Sequence, residues 1–174
     1  MKKYMKKEAT VRKFTLLVCV MLCVGCAAFA DDIVGFCGIP FGTSMEKALD
    51  LMEKAGWNHS HTNNATGGLS FTGGKYGGMK GGKIELRFDN DKLYLGLFDL
   101  KYNAGTEAEM NSLNHEQDII EKYSLMLTEE STIMPVSLYT CRNGNTVAIT
   151  RFSLGDNLPS IYMLVFTESK DEDL

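Results

Sequence analysis

The stretch IELRFDNDKLYLGLFDLKY, residues 84–102, decides the fold. Apolar and charged residues alternate from Ile84 to Phe88, the period of a half-buried strand. Asp89-Asn90-Asp91-Lys92 is turn chemistry. Leu93 to Tyr102 then reads as a long second strand, so the stretch spells an antiparallel hairpin. Within that second strand, Tyr94, Phe98 and Tyr102 fall opposite Leu93, Leu95 and Leu97. If the leucines face the core, the aromatics line an open sheet face; a bulge would exchange the two sets.

Working outward, the hairpin belongs to a unit that recurs. Gly42-Thr43-Ser44-Met45-Glu46 and Gly105-Thr106-Glu107-Ala108-Glu109 are both G-T-x-x-E, offset by 63 residues. In each, a threonine and a glutamate are spaced as a capping box at a helix start. Met45, Ala48, Leu49, Met52 and Ala55 share a face of the first helix, and Gly56 is its stop. Met110, Leu113, Ile120, Tyr123 and Leu127 form a less regular stripe after the second start. Strands are expected at Leu69–Thr72, Ile84–Phe88 and Leu93–Tyr102 after the first helix. After the second they are expected at Ile133–Cys141, Thr146–Phe152 and Ile161–Thr167, with Arg142-Asn143-Gly144-Asn145 as a hairpin turn.

The order is α-β-β-β twice. It predicts an α+β fold: a tandem repeat, halves about 35–103 and 104–167, forming a six-stranded antiparallel sheet with two helices on one face. One such domain would span residues 31–167, with an acidic tail at 168–174.

This element order, with the segment Pro40-Phe41-Gly42-Thr43-Ser44 running to Ala48, resembles two exported groups. One is the β-lactamase inhibitor proteins, tandem repeats of helices followed by sheet. The other is the small envelope lipoproteins of the SmpA/OmlA type, which have one such unit. The resemblance spans about Gly35 to Thr167 and implies a protein-binding role. It carries no contact or catalytic residue across.

Residues 1–30 read as a signal peptide: a basic start, an apolar run from Phe14 to Val24, then Ala28-Phe29-Ala30 as an A-x-A site with cleavage after Ala30. The alternative is a lipobox at Val24-Gly25-Cys26-Ala27, with Cys26 lipidated and the domain anchored to a membrane. The apolar run of eleven residues falls short of the roughly twenty that a spanning helix needs, so the mature chain has no expected transmembrane segment. The leader holds six basic residues and one acidic. The remaining 144 residues carry 12 basic and 21 acidic, a net charge of −9. That balance repels nucleic acid. The expected location is periplasmic or secreted. Cys37 and Cys141 are the two cysteines left, a disulfide candidate in an oxidising compartment.

Candidate chemistry is sparse. The three histidines are His59, His61 and His115, and neither G-x-S-x-G nor H-E-x-x-H occurs. His59 and His61 would share a side of an extended chain but lack a third ligand nearby. Asp89-Asn90-Asp91 opens like a calcium loop, yet Tyr94 and Leu100 stand where its glycine and glutamate belong. Gly77 and Gly82-Lys83 have phosphate-loop spacing, but Ile84 replaces the hydroxyl residue and a strand follows where a helix is required. No cofactor, metal or catalytic group is expected. The expected role is binding, with a small envelope enzyme or metal-binding protein as the alternative.

Two surfaces are candidates. One is the open sheet face, with Tyr94, Phe98, Tyr102, Tyr139 and Tyr162. The other is Gly73–Lys83, read as a mobile basic loop whose Lys75, Lys80 and Lys83 meet an anionic envelope polymer while Tyr76 and Met79 add apolar contact. The expected partner is an envelope protein or such a polymer.

Overall fold

A computed structural model of the chain describes residues 31–63, 67–123, 125–130, 136–153 and 159–169. The leader, with its Ala30 cleavage site and Cys26, lies outside the described residues, as do 170–174 of the acidic tail. In chain order the elements are β1 (Gly35–Phe36), β2 (Ile39–Pro40), α1 (Met45–Lys54), β3 (Asn58–Asn63), β4 (Gly68–Thr72), β5 (Lys75–Tyr76), β6 (Met79–Lys80), β7 (Lys83–Asp89), β8 (Lys92–Tyr102), α2 (Glu107–Lys122), β9 (Met126–Glu130), β10 (Val136–Thr140), β11 (Thr146–Ser153) and β12 (Ser160–Thr167).

The β7–β8 hairpin forms as the alternation requires, and its turn is a tight one. Asn90 and Asp91 both adopt left-handed backbone, φ 50 and 60, the pattern of a two-residue type I′ turn. The turn also starts a helix: Asp91 Oδ1 accepts from Met45 N at 2.9 Å. The expected capping box at Thr43 is thus replaced. Thr43 Oγ1 donates to Pro40 O at 2.7 Å, the helix begins one residue later, and its N-terminal amide is capped from 46 residues away. Asp91→Ala is expected to lose about 2 kcal/mol, about 1 for the cap and at least about 1 for alanine in left-handed backbone, seen as a lower urea midpoint.

At its other end α1 stops as the sequence asks. Gly56 turns left-handed at φ 86; its N–H bonds Glu53 O, and Trp57 N–H bonds Met52 O at 3.0 Å. This Schellman closure drops Trp57 into the core beside Met52.

The main sheet has eight strands, in the order β3-β4-β7-β8-β12-β11-β10-β9, all pairs antiparallel. Each helix is followed by a four-strand meander, apart from the small β5–β6 hairpin inserted in the first, and the meanders meet through β8 and β12. The expectation of six strands omitted the two edges, β3 and β9. Asn-His-Ser-His-Thr-Asn looks like a loop because it has no apolar residue. An edge strand needs none: β3 is held by backbone pairing to β4, with its side chains largely in solvent.

Ala48 and Met52 of α1, Ile119 of α2 and the inward strand residues form one core. The stripe expected on α2 is corrected by the structure. Met110 and Leu113 are 58% and 44% exposed, whereas Ser112 and Ile119 are buried. The helix lays a partly polar side on the sheet, and Ser112 satisfies its hydroxyl on Glu109 O at 2.7 Å. At its start, Thr106 Oγ1 turns back to Asn103 O and Glu109 Oε2 accepts from Gly105 N, one residue before the Thr106 N-cap, so the expected box is replaced by a glutamate clasp on the preceding amide.

Candidate functional site

Register fixes which side chains share a face. Opposite the helices, one row runs Ser70, Glu85, Leu97, Val165, Ala148, Leu138 across six strands. A second runs Thr72, Lys83, Asp99, Met163, Thr150, Val136. Leu95 lies beside Arg87 and Thr167, and Ile161 beside Lys101 and Phe152. The face is polar toward β4 and β7 and aliphatic at its middle. Leu95, Leu97, Ile161, Met163 and Val165 are all half-buried, on the side of the sheet opposite the helices.

The aromatics expected on this face are mostly elsewhere. Phe98, Tyr102 and Tyr162 are 0%, 5% and 0% exposed in the core under the helices, and Tyr139, opposite Val147, packs against that core. The reason is a bulge. Phe88 pairs with Leu93 but Arg87 pairs with Leu95, so Tyr94 is the extra residue. Side-chain alternation resets there, exchanging the two sets. Leu93 stays inside, while Leu95 and Leu97 go to the open face. Of the five, Tyr94 alone accompanies the open face. Its hydroxyl, with Glu85 before it, favours the charged form of the Arg87 guanidinium. The Tyr94 carbonyl accepts from Glu168 N at 2.9 Å, so the first residue of the expected tail is tied to the sheet.

The glycine-rich segment is folded. Lys75 pairs with Lys80 and Tyr76 with Met79 in a two-strand hairpin. Tyr76 sits 5.3 Å from the Phe36 ring and 4.8 Å from Phe98, and Met79 is 2% exposed. The glycines admit close approach: a Cβ on Gly74 would lie 2.3 Å from the Trp57 indole, and one on Gly82 2.3 Å from Phe98. Glycine therefore marks contact here, and the expectation of a mobile loop is corrected. The three lysines also part company. Lys75 and Lys80 are exposed on the hairpin, while Lys83 stands on the open sheet face opposite Asp99.

Beneath α2 lies a polar group set that the sequence did not reveal. Arg151 Nη2 and Glu116 Oε2 are 2.7 Å apart, an ion pair largely shielded from solvent. The Arg151 guanidinium is 5.2 Å from the centre of the Tyr162 ring. Burial pushes the Tyr162 hydroxyl well above its ordinary range, and Glu116 adds to this. His115, one residue before Glu116, has a buried Nε2 with no hydrogen-bond partner among the described residues.

Cys37 and Cys141 are not joined to each other. Cys37 occupies the β1–β2 turn at φ 55 and faces a cavity of about 160 Å³ with Phe36, Tyr76, Tyr123 and Phe166. Burial pushes its thiol up to about 11, which keeps it protonated and a poor nucleophile at neutral pH. Cys141 Sγ contacts Tyr123 O at 3.8 Å.

A second cavity, about 390 Å³, lies on the polar side of the open face, lined by Ser60, Ser70, Thr72, Lys83, Glu85, Leu97 and Asp99 among others. Its parts are bound to each other more than poised for chemistry. Ser60 Oγ donates to Ser70 O at 3.0 Å, and Glu85 Oε1 holds Arg87 Nε at 2.7 Å. Asp99 Oδ1 is buried there without a hydrogen-bond partner among the described residues. A bulge at Ser60 separates the other histidines: His59 packs on Phe71, which faces the core, while His61 pairs with Ser70, which faces away. Among the described residues no three histidine, cysteine, aspartate or glutamate side chains cluster as a metal site. Nor is any helix there long and apolar enough to cross a membrane. Comparison with protein-family models, with characterised proteins and with solved structures finds no match.

Proposed function

We propose that this chain is an exported bacterial envelope protein that acts by binding a protein partner on the helix-free face of its sheet, its two meanders serving as tandem halves of one platform. The observation that carries the reading is the aliphatic centre of that face: Leu95, Leu97, Ile161, Met163 and Val165 are half-exposed and contiguous across β8 and β12. A contiguous apolar patch rimmed by polar residues is the ordinary signature of an interaction surface. Here the rim is Lys83, Glu85, Arg87 and Lys101. The leader residues 1–30 support export, with cleavage after Ala30 or lipidation at Cys26 as the two maturation routes. An anionic polymer is the weaker partner, because Lys83 no longer joins Lys75 and Lys80.

The test is a photo-cross-linking residue placed in the native host at Leu97, Val165 or Lys75. Adducts to one envelope protein from positions 97 and 165, and none from 75, are the expected result. Combined with the cross-linker at position 97, Val165→Lys should abolish its adducts while shifting stability by no more than about 1 kcal/mol, since the Val165 side chain is half in water. Adducts only from position 75 would move the binding surface to the glycine hairpin.

A further inference from the structure

The β5–β6 hairpin is joined to the rest of the chain by glycine pairs at both ends, Gly73-Gly74 and Gly81-Gly82. Its inward Tyr76 packs on the Phe36 and Phe98 rings, and its partner Met79 is buried in the same core. Its turn rests on α2: a Cβ on Gly77 would lie 2.4 Å from Cγ and Nδ1 of His115. Tyr76 meets the same imidazole edge-on at 4.9 Å. His115 Nε2 is buried and has no hydrogen-bond partner among the described residues. A neutral imidazole tolerates one bare acceptor nitrogen. An imidazolium needs an acceptor for each of its two N–H groups, and a buried unpaired charge is costly.

We propose that the hairpin is an acid-released clasp, held shut by the neutral ring of His115 beneath Gly77. The groups around that ring favour this sense. On α2 itself Asp118 attracts a proton to His115, but burial outweighs it and makes protonation harder than in water. Glu116 is engaged by Arg151. From the hairpin, the Tyr76 hydroxyl is kept neutral by burial, and Lys75 and Lys80 point to solvent. Cys37, on the β1–β2 turn beyond Tyr76, remains a thiol. The closed state thus prefers the neutral ring. Its stability is full above the free imidazole value of 6.5 and falls as pH drops below it. Opening uncovers Phe36, Phe98 and Tyr76, an aromatic surface absent at neutral pH.

Trp57 reports the event. It is the chain's one tryptophan, 3% exposed, with Gly74 at the hairpin's base against its indole. In the full-length chain, a red shift of its emission is expected as pH falls from about 8 to about 5, the range in which histidine titrates. The far-UV dichroism should hold constant, and hydrogen-exchange protection of residues 75–80 should fall at least about tenfold relative to β12. His115→Phe keeps a ring without a titrating nitrogen and should abolish the shift. His59→Gln, which alters the histidine nearer Trp57 in sequence, should preserve it. Should His115→Phe fail to fold, the wild-type His115 ring titration by NMR serves instead, and its midpoint must coincide with that of Trp57. An emission flat across this range overturns the clasp, as does a shift that survives His115→Phe, follows His59 or has a midpoint different from that of His115.

Discussion

Phe98→Ala is expected to destabilise the fold by about 3–5 kcal/mol, the range for a fully buried phenylalanine cut to alanine. Phe98 is 0% exposed at the middle of β8, between Ile84 of β7 and Leu164 of β12. Its ring also carries the Tyr76 ring at 4.8 Å, and Gly82 approaches it too closely to bear a Cβ. Truncation would therefore open a cavity that three strands and the glycine hairpin cannot collapse into together. A urea titration reads this as a large fall in midpoint with little change in slope. Leu97→Ala, one residue away and half-exposed on the opposite face, should cost about 1 kcal/mol or less. The contrast tests the face assignment. If Phe98→Ala spares stability and Leu97→Ala does not, the aromatic set belongs outside after all.

The same pair of residues shows what the sequence made legible. The β7–β8 hairpin could be read because alternation and turn chemistry agree, and each is a local property. Strand identity needs only that agreement. Which face a residue takes is a phase, and one inserted residue resets it. Nothing in Leu93-Tyr94-Leu95 marks Tyr94 as the bulge, since all three side chains suit a strand. The register is settled by Arg87 meeting Leu95 and Phe88 meeting Leu93, a long-range pairing that local pattern does not encode.

The remaining differences share a physical cause. Hydrophobic periodicity reports burial, so elements held mainly by backbone bonds at an edge escape it. Asn58–Asn63 is such an edge, and Met126–Glu130, with Met126 66% and Leu127 54% exposed, is the other. On α2 the side facing the sheet carries Ser112, Glu116 and Ile119, because the sheet beneath presents Arg151 and Tyr162. A polar helix face is legible as buried only once its partner is known. Glycine is ambiguous in the same way: it signals freedom when nothing is near and close contact when something is. The glycine pairs of Gly73–Lys83 suggest freedom in the sequence, whereas Trp57, His115 and Phe98 lie against them in the fold.

Gly96→Ala tests that second meaning at the centre of the sheet, and its expected cost is about 2–5 kcal/mol. Gly96 lies in β8 between Leu86 and Phe166, and the Phe36 side chain lies across it. A Cβ there would fall 2.2 Å from Phe36 Cγ and 2.5 Å from Phe36 Cβ. Phe36 cannot step aside easily. Its ring is 5.3 Å from both Tyr76 and Phe166. Its backbone belongs to the β1–β2 hairpin, which is pinned on either side by Gly42 N–H to Leu93 O and by Asn143 and Asn145 to Ile33 O. Two outcomes compete. Overpacking in place costs about 1–3 kcal/mol of strain. Expelling Phe36 loses about 1.5–3 kcal/mol of burial and undocks the N-terminal hairpin. Limited proteolysis separates them, because only expulsion makes the chain from Ile33 to Pro40 cleavable before global unfolding. Expulsion is the expected outcome: rotation about χ1 can swing the ring Cγ aside, but Phe36 Cβ lies 2.5 Å from the new atom and moves only with its own backbone. An alanine accepted with an unchanged urea midpoint would mean that Phe36 does not pack on β8 at all.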